Sequence, residues 1–444
     1  MTDTAPRTAD LSESEIIEEL DQWLNENWDP DITVEEWWNR LGLSGWAAPM
    51  WPEEWFGKGL QRAESVAVQN RIAEFGALSA PGGLGLLLAG PTIIDMGNDE
   101  QKDTLVRDII TGQKAWCQLF SEPGAGSDLA GLQAKALKDG DEWIVNGQKV
   151  WTSGGQIADM GMLIARTDPD LPKHQGITYF GIDMHQDGMD VRPLKELTGR
   201  AMFNEVFMSD VRVPDKWCIG GLNNGWRVAN TTLMHERAGL GAGGGSAAGS
   251  MASPGTIAGD LPKRVGDFVR GGKARDTSGG GGALSGRGGA KGLIELAKGA
   301  GKVEDKRVRQ DLMKLHTAYE IARMNNLRAK AARAAGKQIP GLPNIAKLSM
   351  SDILRMNREI GLSILGPMGT LHAYNADEQK KLADATGNPF TAMITESALF
   401  SPGPAIYGGT DQIQKNIIGE RVLGLPKEPN QDKVLPFKDL PKNG

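Results

Sequence analysis

The sequence predicts an α+β fold laid out as a helical lobe, a β domain and a helical bundle, and three observations predict it. Apolar residues recur at helical spacing towards both ends, whereas the middle alternates short apolar runs with Asx-Gly dipeptides. Hydrophobic residues make up 40% and charged residues 24%, the balance of a chain that buries cores. At 444 residues the chain is too long for one ordinary core and suits two or three domains.

Residues 1–114 read as helices. Ser12 and Glu15 fit a capping box ahead of an apolar stripe through Ile16, Leu20, Trp23 and Leu24. Seven of the 12 tryptophans lie between Trp23 and Trp55, so a tryptophan-packed lobe is expected. Residues 82–88, ahead of Pro91, read as a loop feeding a helix.

Residues 115–216 read as a β domain of hairpins. Asp139-Gly140, Asn146-Gly147 and Asp187-Gly188 supply turns between apolar runs at 143–145, 160–165, 177–182 and 206–213. Residues 217–426 return to helix. Val308, Leu312 and Leu315 share one face, as do Ile353, Met356, Ile360 and Ile364, and later Ile413 and Ile417. Several such helices in succession predict a bundle. An insert at 239–292 holds 19 of the 59 glycines, and ordering it costs much entropy for little apolar burial. Much of it is expected to be loop or disorder. Residues 427–444 read as a polar, proline-containing tail strapped to the surface.

Composition excludes several functions. The net charge of −7 and the lack of a long basic run leave nucleic-acid binding without support. Cys117 and Cys218, the only cysteines, provide neither a disulfide framework nor a multi-cysteine zinc site. Cys117 is expected as a buried small apolar residue. With five histidines and none paired at ligand spacing, no metal site is expected. The N-terminus lacks a signal peptide's apolar core and no run suits a membrane span, so a cytoplasmic location is the default expectation. Gly124-Ala-Gly126 opens like a dinucleotide fingerprint but meets Leu129 at the third glycine, and Lys302 of a phosphate-loop-like Gly-Lys pair is followed by Val303. His235-Glu236 opens a zinc-protease motif that Gly239 breaks.

Four stretches have a positive reading: Ser121-Glu-Pro-Gly-Ala-Gly-Ser-Asp128, Asn146-Gly-Gln-Lys-Val-Trp-Thr-Ser153, Phe203-Asn-Glu-Val-Phe-Met-Ser-Asp-Val-Arg-Val-Pro214, and Ile406-Tyr-Gly-Gly-Thr-Asp-Gln-Ile-Gln414 continuing to Leu423-Gly-Leu-Pro426. In the first, Gly124 and Gly126 allow close backbone approach to a ligand while Ser121 and Ser127 offer hydroxyls. Thr410 is placed to cap a helix with Gln412 in its first turn. Together, and in this order, the stretches resemble the acyl-CoA dehydrogenase family over nearly the whole chain. The resemblance implies an N-terminal helical domain, a middle β-barrel domain and a C-terminal four-helix bundle.

It also implies FAD as cofactor. Phe120, Ser121, Gly126 and Ser127 would wrap the flavin and its pyrophosphate. Trp151 would stack on the isoalloxazine, and Ser153 would bond to its N5. Thr410 and Gln412 would contact FAD from a helix start. Leu365-Gly-Pro-Met-Gly369 resembles the loop that meets the neighbouring subunit's FAD through Gly366 and Gly369, although Pro367 and Met368 depart from the family's glycine and asparagine.

The reaction so implied removes an α-proton from an acyl-CoA and passes the β-hydride to FAD. Many family members carry the base directly after the Ile-Tyr of the last motif, where this chain has Gly408. Another branch carries a glutamate before an arginine on a helix, and Met234-His-Glu-Arg237 matches it. Glu236 is therefore the expected base, with Arg237 holding the local charge or the substrate. In the family the amide at the position of Gly408 donates to the thioester carbonyl, and glycine keeps that N–H. His235 diverges from Glu236 by about 100° on a helix and reads as structural or CoA-proximal.

In relatives a base from this helix goes with branched or bulky acyl groups, including steroid side chains. The implied partners are acyl-CoA, an electron-transfer flavoprotein, and a second copy or a related subunit in a dimer or tetramer. An arginine followed by Phe-Gly, which reaches FAD pyrophosphate in many relatives, is absent, and the glycine-rich insert stands in its place. Two rivals stay open: a subunit that completes the FAD site of a hetero-oligomer, and an acyl-CoA oxidase or desulfinating relative.

Overall fold

Ser12 caps the first helix as the sequence predicts. Its backbone N–H donates to Glu15 Oε2 at 2.8 Å, and Glu15 N donates back to Ser12 Oγ at 3.4 Å. That helix, α1 (Glu13–Asn27), packs Ile16, Leu20 and Leu24 against α2 (Val34–Leu43) and α3 (Arg62–Phe75). Trp37, Trp38 and Trp46 fill the core between them. Two of these indoles also carry a polar edge inward, donating to Leu78 O at 2.7 Å and Ser79 O at 2.9 Å.

The computed structural model describes residues 11–241, 252–269 and 290–441. The chain divides into two units. The first takes Met1–Leu194, Met202–Arg275 and Asn430–Gly444, and the second takes Lys195–Ala201 and Asp276–Pro429.

After α3 the structure departs from the expected loop. A π-helical segment, Gly85–Ala89, runs straight into α4 (Gly90–Met96), with Pro91 in its first turn. Proline brings no N–H to pair at this junction. Next come α5 (Asp99–Gln101), a π-helical segment at Lys102–Val106, and α6 (Arg107–Ile110).

Eight strands form the sheet: β1 (Trp116–Leu119), β2 (Lys135–Asp139), β3 (Glu142–Ser153), β4 (Met160–Arg166), β5 (Ile177–Asp183), β6 (Met189–Leu194), β7 (Phe203–Pro214) and β8 (Cys218–Ile219). Their order is β6-β7-β3-β2-β4-β5-β8, with β1 parallel to β4. Among the described residues the ladders run from β6 at one end of this order to β8 at the other. Asp139-Gly140 and Asp187-Gly188 make turns with glycine at positive φ. Asn146-Gly147 does not: it lies inside β3 opposite a bulge in β7. Asn146 Oδ1 accepts from Asp210 N at 3.0 Å, and a Cβ on Gly147 would come within 2.7 Å of Ala134 Cα. That glycine serves close strand packing, not a turn.

The helix α7 (Gly225–Gly241) belongs to the first unit, although the sequence assigned its residues to the C-terminal bundle. Val228 and Ala229 bury against α4 and the sheet, which sets its allegiance. Within the glycine-rich insert, residues 252–269 are folded too, ending in α8 (Gly266–Val269). Leu261 and Val265 enter the tryptophan core. The carbonyls of Leu261 and Lys263 accept from the first N–H groups of α2, Glu35 N at 3.0 Å and Val34 N at 2.9 Å. The insert's remaining glycine-rich parts, 242–251 and 270–289, lie outside the described residues.

In the second unit, α9 (Lys291–Gly299), α10 (Lys306–Ala334), α11 (Leu342–Leu365) and a helix at Thr391–Phe400 share one core. Val308, Leu312, Leu315, Ile353, Ile360 and Ile364 all enter it. The helices Ala376–Thr386 and Asp411–Ile417 complete this unit. Among the described residues no helix is long and apolar enough to cross a membrane.

Asp159 fastens the folded part of the insert to the sheet domain. Its buried carboxylate accepts from Ala115 N at 2.8 Å, Thr256 N at 3.2 Å and the Thr256 hydroxyl. Asp159→Ala leaves those donors unpaired and is expected to lower stability by at least about 2 kcal/mol. Thermal denaturation, with limited proteolysis reporting cleavage within 252–269, checks it. An unchanged melting temperature with no new cleavage would rule the fastening out.

Candidate active site

The loop after β1 is shaped from below by a buried charge. Glu122 and Ala125 exchange two backbone hydrogen bonds at 3.1 Å, closing the start of the loop. The Glu122 carboxylate turns inward, accepting from Gln133 N at 2.6 Å, Ala134 N at 3.0 Å and Lys149 Nζ at 2.8 Å. Lys149, fully buried on β3, also donates to Phe120 O at 3.0 Å. Burial pushes the lysine pKa down, and the Glu122 charge pulls against that shift. With Glu122 and Ala125 directed inward, Gly126 and Ser127 remain exposed, and Ser121 is half-buried. A Cβ built on Gly126 meets nothing within 4 Å.

The same strand presents the next candidates. Val150 N donates to Ser121 O at 2.9 Å, tying β3 to the loop. Between Lys149 and Thr152 the register slips by one residue against β7, and Trp151 takes up the bulge at φ 62°. A bulky residue in this left-handed region costs about 1–2 kcal/mol, so its neighbours must hold it there. Lys149 and Thr152 are both fully buried, flanking the exposed bulge. The indole is 61% exposed and stands edge-on to Phe203, with ring centres 5.9 Å apart. Ser153 is exposed at the strand end. The buried Thr152 Oγ1 lacks a hydrogen-bond partner, although Asn204 Nδ2 donates to its carbonyl at 2.9 Å. An aromatic face with a hydroxyl two residues beyond suits a planar heteroaromatic ligand with a polar edge.

Glu236 sits on α7, partly buried. One turn earlier on the same face is Thr232, whose Oγ1 lies 3.0 Å from Thr92 Oγ1 on α4 and 3.3 Å from Tyr179 OH on β5. Tyr179 meets the edge of Phe120 at 6.0 Å, so this buried hydroxyl chain ends at the loop that opens the site. His235 Nε2 is 2.8 Å from Asp95 Oδ2, which gives the histidine a place in the α4–α7 pairing. Arg237 lies in the helix, but its side chain is outside the described residues.

The second unit holds the remaining candidates. Thr410 caps the helix Asp411–Ile417, accepting from Ile413 N at 3.1 Å, and Gln412 is exposed. Gly408 and Gly409 precede it at φ 63° and 80°. Asp411 anchors this helix through Lys347 Nζ at 3.0 Å and Ser351 Oγ at 2.8 Å. Burial raises its pKa, but these partners and Arg355 outweigh it and hold the carboxyl below its ordinary value. Gly366 and Gly369 lie in a short 3-10 turn after α11, Gly366 at φ 60°.

Sequence reasoning passed over the supporting residues. Lys149 and Glu122 both stood inside quoted motifs, and a lysine on the inward face of an alternating strand was the available signal. Thr232 and Tyr179 carried none. Cys117 is buried as expected, its thiol pushed up to about 12 by burial. Among the described residues no group of three His, Cys, Asp or Glu side chains is placed to hold a metal ion.

Three family descriptions match the chain: Acyl-CoA dehydrogenase, N-terminal domain at 5–113, middle domain at 117–211 and C-terminal domain at 295–423. Acyl-CoA dehydrogenase IpdE1 of Mycobacterium tuberculosis is 33% identical over 393 residues, 88% of each chain. Acyl-CoA dehydrogenase FadE34 of the same organism is 40% identical over 391 residues, 87% of this chain but 46% of that one, so this chain spans under half of it. Among solved structures, the Tcur3481-Tcur3483 steroid ACAD gives a TM-score of 0.65 at 25% identity, covering 96% of this chain and all of that one. The ChsE4-ChsE5 complex from Mycobacterium tuberculosis shares the fold, with a TM-score of 0.62 at 24% identity over 96% of this chain and 100% of that one.

The Lys149–Glu122 pair gives a direct test of the loop's support. Lys149→Met leaves a buried carboxylate uncompensated and is expected to lower unfolding free energy by about 3–5 kcal/mol. Urea denaturation measures it. A loss under ~1 kcal/mol, the range of an exposed pair, would show that the pair is not buried in solution.

Proposed function

The chain belongs to the acyl-CoA dehydrogenase family, and from that premise we propose that it dehydrogenates a branched or bulky acyl-CoA to its trans-2-enoyl-CoA with Glu236 as base. The enzyme is an acyl-CoA dehydrogenase and its cofactor is FAD. The observation that carries the assignment of Glu236 is its place on α7, one turn beyond the Thr92–Thr232–Tyr179 chain that fixes the helix.

The residues present fit FAD on two counts. Trp151 offers an exposed aromatic face at a strained bulge, and Gly126 leaves the loop's outer side clear of a side chain. Phe120, Ser121, Gly126, Ser127, Trp151 and Ser153 would hold the cofactor, and Gly366, Gly369, Thr410 and Gln412 are further cofactor-binding candidates on the family resemblance. When bound, FAD supplies the acceptor for the substrate's β-hydride.

Glu236 takes the α-proton, a carboxylate being a natural general base for a carbon acid. Gly408 contributes a backbone N–H to the thioester carbonyl, which acidifies the α-carbon without needing a side chain. Arg237 holds the local charge or part of the substrate. The Thr232 anchor keeps the base from drifting, and a positioned base is worth about 10²–10⁴ in rate.

Likeness to a steroid ACAD supports a bulky acyl group, and an electron-transfer flavoprotein is the proposed electron acceptor. A second reading, in which this chain shares its FAD site with a related subunit, draws support from the two-component name of that structure and from the absent arginine motif. A homo-oligomer and a cytoplasmic location complete the proposal.

Glu236→Gln is expected to slow acyl-CoA reduction of the flavin about 10³-fold while FAD content stays unchanged. Anaerobic stopped-flow bleaching of the purified chain's flavin spectrum measures both. Bleaching at the wild-type rate would remove Glu236 from the mechanism. A chain that purifies colourless and binds FAD only with a related subunit would replace the self-sufficient enzyme with the shared-site reading.

A further inference from the structure

The tail of the chain returns to the sheet domain behind the loop at 121–130. Its backbone pairs with the β4–β5 connection: Phe437 N donates to Leu171 O at 2.9 Å and Lys438 N to Pro169 O at 3.0 Å. Two buried cations stand between tail and loop. Arg166, the last residue of β4, donates through Nη2 to Ala130 O and through Nη1 to Lys173 O, both at 2.6 Å. Its guanidinium lies 3.6 Å from the centre of the Phe437 ring. Lys173 Nζ is 2.6 Å from Asp128 Oδ2, at the end of the loop motif, and 3.5 Å from Asp432 Oδ2 in the tail.

Each cation thus has one hand on the loop and one on the tail. Arg166 Nε is buried without a hydrogen-bond partner, so the Phe437 face adds to the two carbonyls in stabilising the guanidinium there. Glu122 and Asp128 are the acids whose charge reaches it.

We propose that residues 430–441 are a positioning strap for the cofactor loop, with Phe437 seating Arg166 and Asp432 seating Lys173 so that Ala130 and Asp128 are held in place. The strap rests on the reading that this loop holds FAD. Phe437 and Asp432 are positioning residues, since each acts on the loop through a cation.

The test uses the full chain carrying Phe437→Ala, Phe437→Tyr or Asp432→Asn, with Gly126→Val as a direct perturbation of the loop. Amide hydrogen exchange over 121–131 in FAD-free protein reads loop order, and flavin fluorescence reads FAD dissociation. Phe437→Ala is expected to speed exchange there and weaken FAD binding about tenfold, the scale of one desolvated cation–aromatic contact. Phe437→Tyr, which restores the aromatic face, should recover wild-type values. Asp432→Asn, at a half-exposed position, should shift both in the same direction by less, and it decides the matter if Phe437→Ala fails to fold. Wild-type exchange and FAD affinity in Asp432→Asn and Phe437→Ala, with binding lost in Gly126→Val, would overturn the strap and leave the loop reading intact. Unchanged FAD affinity in Gly126→Val would overturn the loop reading, and the strap's purpose with it.

Discussion

Lys149 carries a positive charge into the interior of the sheet domain, and much of the surrounding structure answers that cost. A buried ammonium is tolerated only where its hydrogen bonds are met, and here Glu122 and the Phe120 carbonyl meet them. Glu122 can serve only by turning inward, where Gln133 N and Ala134 N occupy its remaining lone pairs. That inward turn gives the loop its shape and leaves Gly126 and Ser127 facing out. Two residues along β3, the bulge that follows Lys149 throws Trp151 to the opposite side. One buried charge therefore fixes the inward turn of the loop and sits two residues before the bulge that carries the aromatic face.

A second buried polar element places α7. Thr232 joins α4 and β5 through hydroxyls, and His235 repeats the pairing to α4 one turn later. Hydroxyl contacts of this kind add little net stability, since each replaces a bond to water. Their effect is directional: a helix held only by Val228 and Ala229 could slide or rotate at small cost, whereas one that must satisfy buried hydroxyls has a single register. On the proposed mechanism this register sets the base.

Helices and strands were largely legible because their signals are local. The capping box at Ser12 and the stripes at Val308 and Ile353 express periodicity and capping, which tertiary contacts here did not override. Asn146-Gly147 misled because the same dipeptide suits a turn and a tightly packed strand, and only the neighbouring Ala134 decides between them. Within the insert, glycine content masked a small apolar pattern, Leu261, Val265 and Phe268, that docks the loop at 252–269 on the tryptophan core. The order of the strands in the sheet depends on pairing between distant segments that no local pattern reports. The motifs exposed the residues facing a ligand, whereas those holding them from behind carried weak signals or none. Lys149 was the exception, being a charge where alternation called for an apolar side chain.

The proposed base on α7 suits the backbone at the two positions a carboxylate could take. At Gly408 the backbone has φ 63°, a region in which a side chain is strained, and glycine relieves it. A carboxylate there would have to bear that strain in addition to its own desolvation. On α7 the backbone is regular, and the helix is pinned through Thr232. On the proposed mechanism the helix carries the carboxylate, which leaves Gly408 to offer an N–H and Glu236 to take the proton. The proposed base and the aromatic face at Trp151 then share the sheet domain as their common support, through Tyr179 on β5 and Lys149 on β3.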